Sequence, residues 1–313
     1  MQWHERIGRR LKLRDMHILL AVVQHGSMAK AAAALAISQP AVSKAIADME
    51  HTVGLRLLDR TRQGIEATTY GRALVKCGTA VFDELKQAAQ ELDLLADPTV
   101  GELRIGSSES MAAGLLPAII DRFSRQYPRV DLTVTQVVFA TAHTRELRER
   151  SIDLLLGQML VSLEDDDLES EVLFDDQLLV VSGNQSRWAR SRRLVLADLV
   201  GEQWILPPAN SLAGTSQAEV FRACNLEMPR AALTTLSIHL FLQLVITGRF
   251  VAMLPGSVVR LSGKNWPLRI LPIKLPVQPK PVATIRLKNR TLSPVAQVFI
   301  DCARAVARAI PAK

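Results

Sequence analysis

The stretch from Ser27 to Glu50, SMAKAAAALAISQPAVSKAIADME, decides how the N-terminal part of the chain folds. Ser27 can cap a helix over Met28–Leu35, which is dense in alanine and therefore strongly helix-forming. Ala36-Ile37-Ser38 forms the connection. Ser38 can cap a second helix, and Pro40 falls in its first turn, where a missing N–H is harmless. Within that helix Val42, Ala45, Ile46 and Met49 recur at helical spacing and form a stripe to be buried. Gln39, Pro40, Ser43, Lys44 and Ala47 face the other way. Such a face suits the DNA major groove: short side chains allow close approach, an amide can pair with a base, and a lysine can meet phosphate.

Outward from this hairpin, Leu13–His25 reads as a preceding helix ended by Gly26. After it, Leu55–Thr68 reads as a short hairpin, with Gly64 where a turn is needed. This is a wing, and it places Arg60 and Arg62 where they can reach backbone phosphate. Charge supports the assignment. Residues 1–76 hold twelve lysines and arginines against six acids, a balance of +6 out of +7 for all 313 residues.

Thr68 or Thr69 can cap a long helix to about Ala96. Leu74, Val81, Ala88 and Leu95 lie seven apart, with Leu85 and Leu92 in the companion row and Gly78 interrupting it. A sustained seven-residue repeat is a coiled-coil seam, whose expected use is pairing two chains.

Asp97-Pro98-Thr99-Val100-Gly101 breaks the helix and marks a boundary. Strands are then expected at Leu103–Ser107, Val130–Val138 and Ile152–Gly157, with helices near Leu115–Tyr127 and Thr144–Arg150 between them. Such alternation implies a parallel sheet with covering helices. A second set covers Gln177–Ser182, Thr215–Cys224, Ile238–Thr247 and Phe250–Leu254. Leu268–Ile273, Val282–Leu287 and a helix over Pro294–Ala309 follow. The expected organisation has three parts: a winged head over 1–70, a linker helix over 71–97 and a two-lobed module over 98–313. Its first lobe takes residues 98–176 and 268–313, and its second takes 177–267.

These residues resemble those of the LysR-type transcriptional regulators. The resemblance is carried by Ser27 and Ser38-Gln39-Pro40-Ala41-Val42-Ser43-Lys44, then Ile46, Glu50, Gly54-Leu55, Leu57-Leu58-Asp59-Arg60 and Thr68 to Gly71. Gly101–Gly106, Leu115-Leu116-Pro117, Phe123, Tyr127-Pro128, Asp153-Leu154 and Leu254-Pro255 continue it. It implies an N-terminal winged helix-turn-helix, a long linker helix and a two-lobed α/β module like a periplasmic binding protein. It also implies promoter DNA, a small-molecule effector and RNA polymerase as partners of a homodimer or homotetramer that activates transcription. DNA contacts are implied at Ser27, Ser38, Gln39, Pro40, Ser43, Lys44, Arg60 and Arg62. Effector contacts are implied at Ser108, Ser110, Phe139, Ala140 and Gln158 from the first lobe, and at Asn210, Ser211 and Ser237 from the second. Four positions depart from the family pattern. Leu58 replaces a usual phenylalanine, Ala67 a common leucine, and Phe139 a small residue. Gln158 stands where some relatives that sense aromatic acids carry an arginine.

Other function classes find less support. Six histidines fall without metal-ligand spacing, and no Gly-rich phosphate loop occurs. Glu164-Asp165-Asp166-Asp167 lacks the alternation of a calcium loop and reads as a solvated acidic loop. Cys77, Cys224 and Cys302 are scattered, so neither a disulfide framework nor a zinc site is expected. No cofactor and no catalysis are expected. The N-terminal MQWHERIGRRLKLRD is not followed by a signal-peptide core, and no apolar run is long enough to span a bilayer, so a cytoplasmic address is expected. A solute-binding protein is the alternative for the C-terminal module, but it would need neither the basic head nor the seam.

Overall fold

The computed structural model describes residues 11–61, 64–97, 100–137, 145–159, 166–261 and 266–310. The chain divides into two compact units, Met1–Ala88 and Ala89–Lys313.

The first unit is a three-helix head with a wing. Helix α1 (Leu13–His25) ends at Gly26, whose φ of 64° is left-handed. Helix α2 (Met28–Ala34) and helix α3 (Gln39–Val53) follow. Ser38 Oγ accepts from Ala41 N–H at 3.3 Å, as a cap should. Ser27 has the extended backbone of a cap, but its side chain makes no capping bond, so the expected role is filled by position only. Ala36 takes φ 53° in the connection between α2 and α3, and its small side chain limits the strain there. Ile18, Leu19, Val22, Ala31, Ala32, Val42, Ile46, Met49 and Leu57 form one buried cluster.

The wing strands β1 (Leu58–Thr61) and β2 (Gly64–Ala67) pair antiparallel. Two contacts fasten them to the helices. Glu50 Oε1 accepts from Leu57 N–H at 2.7 Å and Leu58 N–H at 3.2 Å. Ile65 N–H donates to Gly26 O at 2.9 Å. Gly64 sits at φ 135°, and a Cβ there would lie 2.6 Å from Gly26 O, so this turn position requires glycine. Helix α4 (Thr69–Ala96) leaves the wing directly. Its expected apolar seam is split in use. Leu74 packs against the head core, and a Cβ at Gly78 would lie 2.8 Å from Met16 Cγ, so the gap in the repeat is where α1 crosses. Leu85, Leu92 and Leu95 remain 49%, 68% and 75% exposed.

The second unit contains two five-stranded sheets. The strands of the first are β3 (Val100–Ser107), β4 (Arg129–Gln136), β5 (Leu154–Gln158), β6 (Leu168–Asp176) and β12 (Lys280–Leu287), in the order β4-β3-β5-β12-β6. Helices α5 (Glu109–Ala113), α6 (Leu115–Gln126) and α7 (Arg145–Arg148) connect its early strands. The second sheet has the order β11-β7-β10-β8-β9, built from β7 (Leu178–Gly183), β8 (Gln203–Leu206), β9 (Ala231–Thr234), β10 (Phe250–Pro255) and β11 (Leu268–Ile270). Helices α8 (Leu212–Ala223), α9 (Ile238–Val245) and α10 (Gly256–Leu261) belong to this part of the chain, and α11 (Pro294–Arg308) closes it.

Two expectations need correction. The sheets are mixed rather than parallel: β3 runs parallel to β4 and β5, whereas β12 runs antiparallel to both β5 and β6. Residues 268–270 were expected in the first lobe but pair with β7 in the second sheet, so the chain returns only at β12. A three-residue strand has too little pattern to declare its sheet; its partner decides.

The first lobe holds one buried ionic knot. Asp153 Oδ2 accepts from Arg104 N–H at 2.7 Å, and Oδ1 accepts from Arg104 Nη2 at 2.7 Å and Arg290 Nη2 at 2.6 Å. Burial alone would raise the pKa of this carboxyl. Hydrogen bonds from Arg104 and the charges of Arg290 and Arg104 outweigh it and hold the group below the ordinary carboxylate range. Replacing Asp153 with alanine removes the shared acceptor of two arginines, one only 4% exposed, and should cost about 3 kcal/mol. The wild-type contribution is complete above the unfolded carboxyl pKa and is lost as pH falls through the lower folded value. Chemical denaturation at neutral and acidic pH should therefore show the wild-type advantage shrinking in acid.

Candidate functional site

Two sites can be built from these elements. The first is the outer face of α3. Burial of Val42, Ile46 and Met49 fixes the helix's rotation, and Ser38, Gln39, Pro40, Ser43, Lys44 and Ala47 are all exposed. Ser27 is half-buried one helix earlier, and Arg60 is exposed on the wing. Arg62 lies outside the described residues. The face carries one cation, one amide and several short side chains.

The second site is a cavity of about 200 Å³ between the two sheets of the second unit. Three chain reversals build it. Ser108 follows β3 and caps α5, with Oγ accepting from Met111 N–H at 3.4 Å and lying 3.1 Å from Ser110 Oγ. Ser211 caps α8, where Oγ accepts from Gly214 N–H at 3.0 Å and donates to Pro208 O at 2.6 Å. Ser237 caps α9, its Oγ accepting from Leu240 N–H at 3.3 Å. Hydrophobic periodicity after each cap turns the helix onto its sheet, leaving each start at a strand's C-terminal end. Ligands of open α/β sheets bind at such places.

Ser108, Ser110, Gln158 and Ser211 line the cavity. Ser237 is not on its wall, although its neighbours Leu236 and Ile238 are. Asn210 is exposed in the turn before α8 and lies off the wall. Phe139 and Ala140 lie outside the described residues. The wall also includes residues that the sequence reading passed over. Gln217, Phe241 and Met253 form part of it, as do Gln136 and Glu109, joined by a 2.9 Å bond from Gln136 Nε2 to Glu109 Oε2. Gln217 had one legible signal: it is the polar member of the buried face Gly214, Gln217, Val220, Phe221.

The cavity's geometry rests on the crossovers between sheets. A single residue, Gln177, separates the end of β6 from the start of β7, and β10 runs directly into α10. The crossing from β6 to β7 is tied to the junction of β10 and α10. Asp176 Oδ1 accepts from Ser257 N–H at 3.0 Å, Asp176 Oδ2 accepts from Ser257 Oγ at 2.5 Å, and Gly256 N–H donates to Gln177 O at 2.7 Å. Burial pushes the Asp176 carboxyl above the ordinary range, against the opposing hydrogen bonds from Ser257.

Among the described residues no group of three His, Cys, Asp or Glu side chains could hold a metal ion. No helix among them is long and apolar enough to cross a membrane.

Comparison with known proteins agrees with this architecture. Residues 13–72 match the family described as "Bacterial regulatory helix-turn-helix protein, lysR family", and residues 96–308 match "LysR substrate binding domain". The chain therefore belongs to the LysR family: it is a DNA-binding transcriptional regulator with an effector-binding domain. The regulator GbpR of Azospirillum brasilense is 28% identical over 298 residues, covering 95% of this chain and 86% of that protein. The transcriptional dual regulator GltC of Bacillus subtilis is 25% identical over 292 residues, covering 93% and 96%. Among solved structures, the LysR regulator CbnR matches with a TM-score of 0.61 at 20% identity, covering 95% of this chain and 99% of that one. A full-length OxyR variant from Pseudomonas aeruginosa matches with a TM-score of 0.65 at 20% identity, covering 95% of each. These structures share the fold. The helix-turn-helix match sets aside a solute-binding protein without a DNA-binding head.

The Asp176 crossing generates a test. Asp176→Asn keeps an acceptor for Ser257 N–H and reverses the other bond, its Nδ2 donating to Ser257 Oγ, while removing a buried charge, so stability at neutral pH should hold or rise. Asp176→Ala should lose about 1–3 kcal/mol by stranding the Ser257 groups. Because the folded carboxyl has a raised pKa, its contribution is greatest at low pH and declines as pH rises through that value. The Asp176→Asn variant should lack this slope in thermal melts across pH.

Proposed function

We propose that this regulator reads promoter DNA with the outer face of α3 in the major groove, while Arg60 and Arg62 of the wing meet phosphates. The observation that carries this reading is the two-faced helix: Val42, Ile46 and Met49 buried, Gln39, Ser43 and Lys44 exposed. Gln39 at the N-terminal end reads a base edge, and Lys44 is a phosphate contact. The exposed leucines of α4 pair with those of a second copy, placing two heads on one operator. We propose a homodimer or a tetramer of two dimers, working in the cytoplasm, that activates transcription through RNA polymerase. The regulator is read as non-catalytic and as needing no cofactor besides its effector. A small molecule in the cavity of the second unit biases the oligomer between two arrangements. Ser108, Ser110, Gln158 and Ser211 are its proposed contacts, with Phe139 and Ala140 among the family-implied positions.

Mobility-shift titrations test the DNA reading. Gln39→Ala should weaken specific binding by about 1–3 kcal/mol and leave non-specific binding nearly intact. Lys44→Ala should weaken binding to every sequence and flatten the salt dependence. Unchanged sequence preference in Gln39→Ala would remove the base-reading role.

The seam is tested through size. Leu85→Glu buries a carboxylate without a partner in the proposed interface. Light scattering should show dissociation, accompanied by loss of operator binding; an intact oligomer would refute the seam.

A further inference from the structure

The charge and the unused polar groups of the cavity narrow the effector's chemistry. Glu109 is the one charged side chain among the described residues of its wall, and no lysine or arginine is among them. Gln158 ends β5 on this wall with a neutral amide. A carboxylate entering the site would shed its water without meeting a cation and would sit near Glu109, which is strongly unfavourable.

The helix starts do not reverse this balance. Ser108, Ser211 and Ser237 each accept from a first-turn N–H, and Glu109 already supplies negative charge to the first turn of α5. The remainder of the wall is largely apolar, with Leu178, Leu212, Ile238, Phe241 and Met253 prominent.

One polar atom there has no partner. Gln217 is 5% exposed; its Nε2 donates to Met253 O at 3.1 Å, while its Oε1 accepts from no described residue. A buried acceptor left empty is costly, and a ligand donor would relieve it. The size limit is equally plain: a cavity of about 150 Å³ holds benzene, so this one suits a single substituted ring or its equivalent.

We infer that the effector is a compact, uncharged, largely apolar molecule bearing a hydrogen-bond donor for Gln217 Oε1, rather than an organic acid. This inference rests on the cavity being the effector site.

Benzamide, benzoate and toluene share a ring and differ in charge and donors, so they serve as probes of the full-length protein by thermal shift and calorimetry. Benzamide should bind about tenfold or more tightly than benzoate, because an ion without a counterion is rejected. Gln217→Met removes the acceptor for the ligand together with the Nε2 bond to Met253 O, and it should weaken benzamide by about tenfold while leaving toluene, which uses neither group, unchanged. Gln158→Arg adds a cation on the wall without touching the core, and should move the preference toward benzoate. Benzoate binding as tightly as benzamide to the wild type overturns the inference, as does the absence of any benzamide binding at millimolar concentration. Cavity-filling Ser108→Trp and Ala213→Trp separate the two layers of the argument. If benzoate binds the wild type as tightly as benzamide and either variant abolishes that binding, the cavity reading stands and only the ligand class falls. If both leave benzamide binding intact, the cavity reading itself falls.

Discussion

Asp176 and Ser257 meet where the chain passes from one sheet to the other, and the second unit depends on that meeting. The crossing from β6 to β7 has a single residue between strands, and it lies against the point where β10 runs straight into α10. The carboxylate, bonded to both the backbone N–H and the hydroxyl of Ser257, joins the crossing to the start of α10. The pair is buried, so water does not compete for its hydrogen bonds, and the same burial penalises the charge. A joint of this kind fixes the two lobes against each other locally. The cavity is the space left between them.

The ionic knot around Asp153 has a different role. It ties β3, the turn before β5 and the segment after β12, three parts of the chain far apart in sequence. Breaking such a buried pair is costly, although forming it in place of apolar packing gains little. Its value lies in specifying how the returning C-terminal segment seats on the first lobe. The returning helix α11 then buries Val295, Ala296, Phe299, Ile300 and Ala303 against the same sheet.

The head obeys a simpler constraint. Its core is too small to tolerate a rotated helix, so Val42, Ile46 and Met49 must point inward. The opposite face of α3 is thereby presented outward, whatever its residues are. Glu50 and Gly64 add the wing to this arrangement, one by accepting two backbone N–H groups and the other by allowing a close backbone approach. The outer face of α3 and the wing are thus positioned by burial and backbone bonding, and Gln39, Ser43 and Lys44 on that face lie outside the buried core.

The legible part of this protein was the part governed by local pattern. Caps, alanine-rich helices, the stripe of Val42, Ile46 and Met49, the break at 97–101 and the alternation of strands and helices each depend on residues a few positions apart, and the structure contains them. Ser108 and Ser211 were implied by the family resemblance, and the structure shows that each caps a helix following a strand. Sheet membership was not: β11 joins β7 and β12 runs antiparallel to β5 because of partners far away in sequence. Gly78 read as a defect in a repeat and proved to be the crossing point of α1. Gln217, Met253 and Glu109 share one cavity only because three chain reversals meet there, and no spacing rule relates them. Local pattern by itself determined the helices of the head and the two-faced character of α3. Tertiary structure alone decided the cavity's wall, its charge and its empty acceptor, since these arise from non-local contacts that a linear pattern does not encode.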